Sequence, residues 1–280
     1  MARLGANRYG KSRVRLSRIT RHPDRYDFNE WNVRVLLGGD FDASFTDADN
    51  SRILPTDTMK NTVYSIARSS SAATIEEFAM ELGDYLLHHN PQVSETSVEI
   101  EEKAWERLVV DDTLDATTFK LGGPELQTAY ANRKREGEWQ LTSGIDGLTI
   151  LKTTKSAFTG YIKDRLTTLK PATDRIFGTR ATIRWDYGPA QANHAGVRAR
   201  ITDTLLRVFA EHESMSVQHT LFAMGEAVLE AVPEITRIHL MMPNLHHLLA
   251  DLSPFGQDNP NHIFVPIDEP HGYIEATVER

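Results

Sequence analysis

The chain has 280 residues, 40% hydrophobic and 25% charged, enough to bury a sizeable core without disulfides or structural metals. It contains no cysteine, which excludes disulfides, thiolate nucleophiles and Cys-ligated zinc together and suits a reducing compartment. A net charge of −8 argues against a nucleic-acid surface over the whole molecule, and no apolar run approaches the roughly 18 residues of a membrane span.

The N-terminal stretch MARLGANRYGKSRVRL has no apolar h-region, so no secretory signal is expected. Lys11, Arg13 and Arg15 alternate with Ser12, Val14 and Leu16, which predicts a strand over 12–19 with one polar and one apolar face. A solvated face explains that pattern, and a positive lining for an anionic small molecule is the alternative. A second strand is predicted over 32–38, followed by an acidic polar stretch. Ile75, Phe78, Ala79, Leu82, Tyr85 and Leu86 fall on one face of a helix over 75–88. Thr74 with Glu77 forms its capping box and Pro91 marks its end. Segments 96–101 and 105–110 read as a further pair of strands.

Beyond a polar run at 134–140 the order repeats. Segments 140–143 and 148–153 flank Asp146-Gly147, a hairpin signal. A short helix over 161–169, a strand over 181–187, helices over 202–211 and 217–231, and a strand over 237–242 follow. NTVYSIA at 61–67 and HTLFAMG at 219–225 echo each other faintly. Together these features predict an α+β protein of two similar halves, residues 1–136 and 137–280.

The usual fingerprints of dinucleotide, triphosphate and serine-hydrolase sites are missing: there is no GxGxxG, P-loop or GxSxG. His88-His89 and His246-His247 are adjacent pairs whose members point in different directions, so neither makes a natural chelate and no metal is assigned. The turn at Thr56 and Asp57 offers hydroxyls and free N–H groups near a helix start. Ser214 or Ser216 can cap the next such start, leaving the Val217 and Gln218 N–H groups for an anion. Asn244 and His246 stand two apart at a strand end. The stretch LTILKTTKSAFTGYIKDRLTTLKPATDR carries Phe158, a flat apolar face, and Arg175, a rigid guanidinium fork. Taken singly, each has a plainer explanation as a cap, a turn, a surface residue or core.

In order along the chain, however, YGKSRVRL, PTDTMKNTVY, the long stretch just quoted, SVQHTLF and MPNLHH resemble the urate oxidases (uricases). Leu166, where an aromatic is expected, and Pro171 depart from the pattern. The resemblance implies the tunnelling fold, two tandem halves each of a four-stranded antiparallel sheet backed by two helices. These halves assemble into barrels and a homotetramer with sites between subunits. It implies oxidation of urate by dioxygen to 5-hydroxyisourate and hydrogen peroxide, with neither metal nor organic cofactor. In that reading Lys11, Thr56 and His246 move protons. Phe158 stacks under the purine, while Arg175, Gln218 and the Val217 N–H hold one edge. Thr56 and the Asp57 N–H hold the opposite edge, and Asn244 holds dioxygen and then water. Two rivals stand beside it: a metal-dependent pterin or GTP enzyme of related fold, and a catalytically silent purine-binding protein or scaffold. The C-terminal ATVER lacks the SKL-type signal of peroxisomal relatives, so cytoplasmic residence is expected.

Overall fold

Strands β1 (Tyr9–Arg21) and β2 (Tyr26–Gly39) form an antiparallel pair that opens the chain. The structure is a computed structural model describing residues 2–189 and 192–280. After β2 come a short helix α1 (Asp42–Thr46) and two long ones, α2 (Thr56–Ser69) and α3 (Ile75–His89). Strands β3 (Val93–Val110) and β4 (Thr113–Lys134) extend the sheet in the order β1-β2-β3-β4, these pairs all antiparallel. Trp31, Val33, Val35 and Leu37 alternate along β2 toward one buried face, as period 2 requires. Met59 and Val63 of α2, and Phe78, Leu82 and Leu86 of α3, bury the matching helical stripes, with Trp31 stacked on Phe78 at 4.8 Å.

Two compact units result, one running to Ile145 and the other Asp146–Arg280. The division falls within β5 (Gln140–Lys152). The second unit continues with β6 (Phe177–Tyr187), α4 (His194–Glu211), α5 (Val217–Ala231), β7 (Ile235–Met241), β8 (Asn244–Leu249), β9 (Phe264–Gly272) and β10 (Glu275–Glu279). Here β7 lies between β6 and β10, while β8 pairs with the start of β6 and with β9. Ala181, Ile183 and Trp185 of β6 and Ile238 and Leu240 of β7 are buried, as are the apolar stripes of α4 and α5. Among the described residues no helix is long and apolar enough to cross a membrane.

Several local expectations are corrected. The two strands expected over 96–101 and 105–110 are one, β3, with irregular register between Lys103 and Trp105 and between Arg107 and Val109. Asp146-Gly147 is no hairpin: β5 runs straight through, Gly147 taking φ 80, while the Asp146 carboxylate accepts from Thr182 Oγ1 at 2.9 Å and Arg184 Nη2 at 3.0 Å. Residues 161–169 form no helix. Gly160 turns at φ 73, the Asp164 carboxylate caps a turn by accepting from Leu166 N, and Ile162, Leu166 and Leu169 are exposed. The sequence echo joins α2, the first long helix of its unit, to α5, the second of its own, so it is out of step with the repeated order of elements.

Candidate active site

In the first unit the site begins with a defect in β1. Lys11 pairs with Val35 and Val14 with Val33, so Ser12 and Arg13 together oppose Arg34 in a β-bulge. Arg13 sits in the left-handed region at φ 58. Paired residues share a face, and Val33 and Val35 are both fully buried toward the helices. Lys11 and Val14, three apart, therefore lie on the same side, which unbroken alternation forbids. This corrects the expected polar face: Lys11 is turned away from the side of Arg13 and Arg15 and toward α2. Helix α2 starts at Thr56 behind Pro55 with no side-chain cap, so its first N–H groups stay free for a ligand. Lys60 Nζ donates to the Asp57 carboxylate at 2.5 Å. That bond, the Lys60 charge and Lys11 hold the Asp57 carboxyl below its ordinary range, so Lys11 lies within electrostatic reach of this helix start.

In the second unit Phe158 and Arg175 come from an irregular segment held by backbone bonds. Phe158 N donates to Ala172 O at 2.8 Å and Ala172 N returns to Phe158 O at 3.1 Å. Ala157 N donates to Ser214 O at 2.7 Å and Ser214 N to Lys155 O at 2.9 Å, tying the segment to the approach of α5. Ser216 caps that helix, its Oγ accepting from His219 N at 3.1 Å. The Val217 and Gln218 N–H groups remain among the unpartnered donors of the first turn. The Arg175 guanidinium carbon stands 5.3 Å from the Phe158 ring centroid, and Tyr161 stacks on the same ring at 5.0 Å. Burial draws Arg175 below its ordinary value, and its Nε is buried without a hydrogen-bond partner. Ser156 Oγ and Thr179 Oγ1 are likewise buried and unpartnered. Such groups in a folded protein ask for water or a ligand.

Asn244, at the start of β8, pairs with Thr179 of β6 and donates from Nδ2 to His246 Nδ1 at 3.2 Å. Burial, then the charges of Arg175 and His271, lower the His246 pKa, which favours the neutral imidazole, its Nδ1 accepting from Asn244. Phe158, Arg175, Val217, Gln218, Asn244 and His246 thus belong to one neighbourhood in the second unit, and Lys11, Thr56 and Asp57 to another in the first. Arg175 is the sharpest feature: a half-buried cation beside an aromatic face, drawn down by burial alone. Among the described residues no three His, Asp or Glu side chains gather as a metal-holding group.

Residues 7–132 and 141–275 match the Uricase family. A Uricase from Arthrobacter globiformis is 41% identical over 277 residues, covering 99% of this chain and 90% of its own length. One from Dictyostelium discoideum is 35% identical, covering 100% of this chain and 98% of its own. The crystal structure of the Arthrobacter globiformis Uricase superposes with a TM-score of 0.94 at 41% identity, over 100% of this chain and 96% of that one.

This chain belongs to the uricase family. A Bacillus sp. TB-90 urate oxidase variant at 24% identity shares the fold, with a TM-score of 0.85 over 99% of this chain and 100% of that one. All nine expected site residues fall inside the segments matched to uricases. Leu166 is exposed in a turn, and beside Pro171 the backbone pairing of Phe158 with Ala172 is kept. His271 and the Ser214 backbone were not foreseen. The strand carrying His271 was unpredicted, and Ser214 acts through peptide groups that no side-chain pattern reveals.

Proposed function

We propose that this uricase oxidises urate with dioxygen to 5-hydroxyisourate and hydrogen peroxide, using neither metal nor organic cofactor. The observation carrying the reading is Arg175 beside Phe158: an uncompensated guanidinium fork next to an aromatic plane suits a flat, anionic purine. Phe158 supplies the stacking bed, and Arg175 grips one edge with two parallel N–H bonds. The Gln218 amide and Val217 N–H close that edge. Thr56 and the Asp57 N–H hold the other edge from a neighbouring subunit.

Lys11 and Thr56 form the proton relay, and neutral His246, its Nδ1 held by Asn244, completes or orients it. Removing a second proton makes the ring electron-rich enough to give two electrons to dioxygen. Dioxygen takes two protons with them and leaves as hydrogen peroxide, while water supplies the new hydroxyl. Asn244 holds dioxygen and then water above the ring.

The assembly in this reading is a homotetramer of stacked barrels, which would close the outer edges of β1 and β10, strands that pair on one side only among the described residues. A cysteine-free chain with this chemistry suits the cytoplasm. Following urate loss by ultraviolet absorbance together with oxygen uptake tests the reaction. Equal consumption of urate and dioxygen, unchanged after exhaustive chelation, is expected. No turnover, or turnover restored only by an added metal, would overturn it.

A further inference from the structure

The start of α2 has no side-chain cap, yet the proposed relay needs Thr56, its first residue, held against Lys11. The loop before it is anchored from β1 instead. Tyr9 Oη donates to Leu54 O at 3.1 Å and accepts from Leu54 N at 2.8 Å, so one hydroxyl occupies both backbone groups of one residue. Leu54 precedes Pro55, which has no N–H and restricts the backbone before it, so a hold on Leu54 carries directly to Thr56. The Tyr9 ring is itself fixed edge-on against buried Phe41, with centroids 4.7 Å apart.

Tyr9 also lies on the right side of its strand. It pairs with buried Leu37 and Lys11 with buried Val35, so both point toward the helices, on the same side as Val14 beyond the bulge. One short piece of β1 thus presents the lysine and, two residues earlier, the hydroxyl that sets the distance to its partner's helix. Burial holds the phenol above its ordinary range against the opposing effect of the Leu54 bond, so the hydroxyl keeps its proton at neutral pH.

We infer that Tyr9 is a positioning residue, fixing Thr56 against Lys11 through its paired hydrogen bonds to Leu54. The inference rests on the relay described above. A double-mutant cycle separates the two. Tyr9→Phe keeps the ring and loses the hydroxyl; kcat should fall about ten- to a hundredfold, with urate KM changing much less. In a Thr56→Ala background the same substitution should cost nothing further, because the group it positions is gone. Leu86→Ala opens the α3 side of the same core and leaves the Tyr9 hydroxyl and its Phe41 support in place, so it should lower Tm while kcat holds.

A full additional loss on Thr56→Ala would overturn the inference while leaving the relay standing. So would a Tyr9→Phe enzyme with unchanged kcat, one that fails to fold, or a Leu86→Ala enzyme that loses as much kcat as Tyr9→Phe. A silent Thr56→Ala would overturn the relay and the inference with it.

Discussion

At the scale of single residues the site divides by chemistry, and each part answers to a different measurement. Lys11→Met and Thr56→Ala remove the relay, so kcat should drop about a hundredfold or more while urate affinity changes far less; steady-state rates that lost only KM would contradict it. Arg175→Lys keeps a charge and loses the fork. Binding should weaken about ten- to a hundredfold, measured as KM or by titration with an inert purine anion. His246 sets the pH dependence. Its pKa is depressed first by burial and then by Arg175 and His271, so its neutral form persists below the ordinary histidine range. The acid limb of kcat should therefore lie below that range, and His246→Gln should abolish the limb. The same depression makes the unfolded chain the stronger proton binder. Its contribution to stability is whole above the ordinary histidine pKa and is lost as pH falls from there toward the native value.

At the scale of elements, what the sequence disclosed depended on whether local pattern and tertiary packing agreed. Helix α5 was legible because its apolar period buries Leu221, Met224 and Val228 and Ser216 caps it. Ser216→Ala should cost about 1 kcal/mol, read as a fall in Tm, and should raise urate KM by disordering Val217 and Gln218. The helix expected over 161–169 fails for the opposite reason: Ile162 is 95% exposed, so the periodicity has nothing to pack against. Strand β4 went unseen because most of its outer half faces solvent, and its hairpin turns on Asp111-Asp112 with φ 48 and 60, not on Asn-Gly. Phe158 and Arg175 stood out only through the stretch that carries them, since singly each passes for core or surface. The orientation of Lys11 was not readable, since the bulge hides inside an apparently regular alternation. Gly10 shows how tightly that place is built: a Cβ there would lie 1.8 Å from the Val35 carbonyl oxygen. Gly10→Ala should force β1 away from β2 beside Lys11 and lower kcat about tenfold or more, with less effect on KM.

At the scale of the whole molecule the proposal makes neither chain sufficient alone, and that is open to a mixing experiment. Lys11→Met chains carry an intact Phe158–Arg175 side, and Arg175→Ala chains carry an intact Lys11–Thr56 side. Each variant by itself should be nearly inactive. If sites form between subunits, a hybrid pair contains one site with both defects and one with none. Equal mixing makes about half of the pairs hybrid, so about a quarter of wild-type activity should return when the two are unfolded and refolded together. If Lys11 and Arg175 served the same site within one chain, every site would keep a defect and no activity would return. Mixing without refolding supplies the control: activity should then appear only as fast as subunits exchange, and at protein concentrations where sedimentation shows the assembled form. Recovery at once on mixing, or none after co-refolding of soluble, assembled chains, would remove the shared site from the reading while leaving the residue-level assignments to stand on their own kinetics.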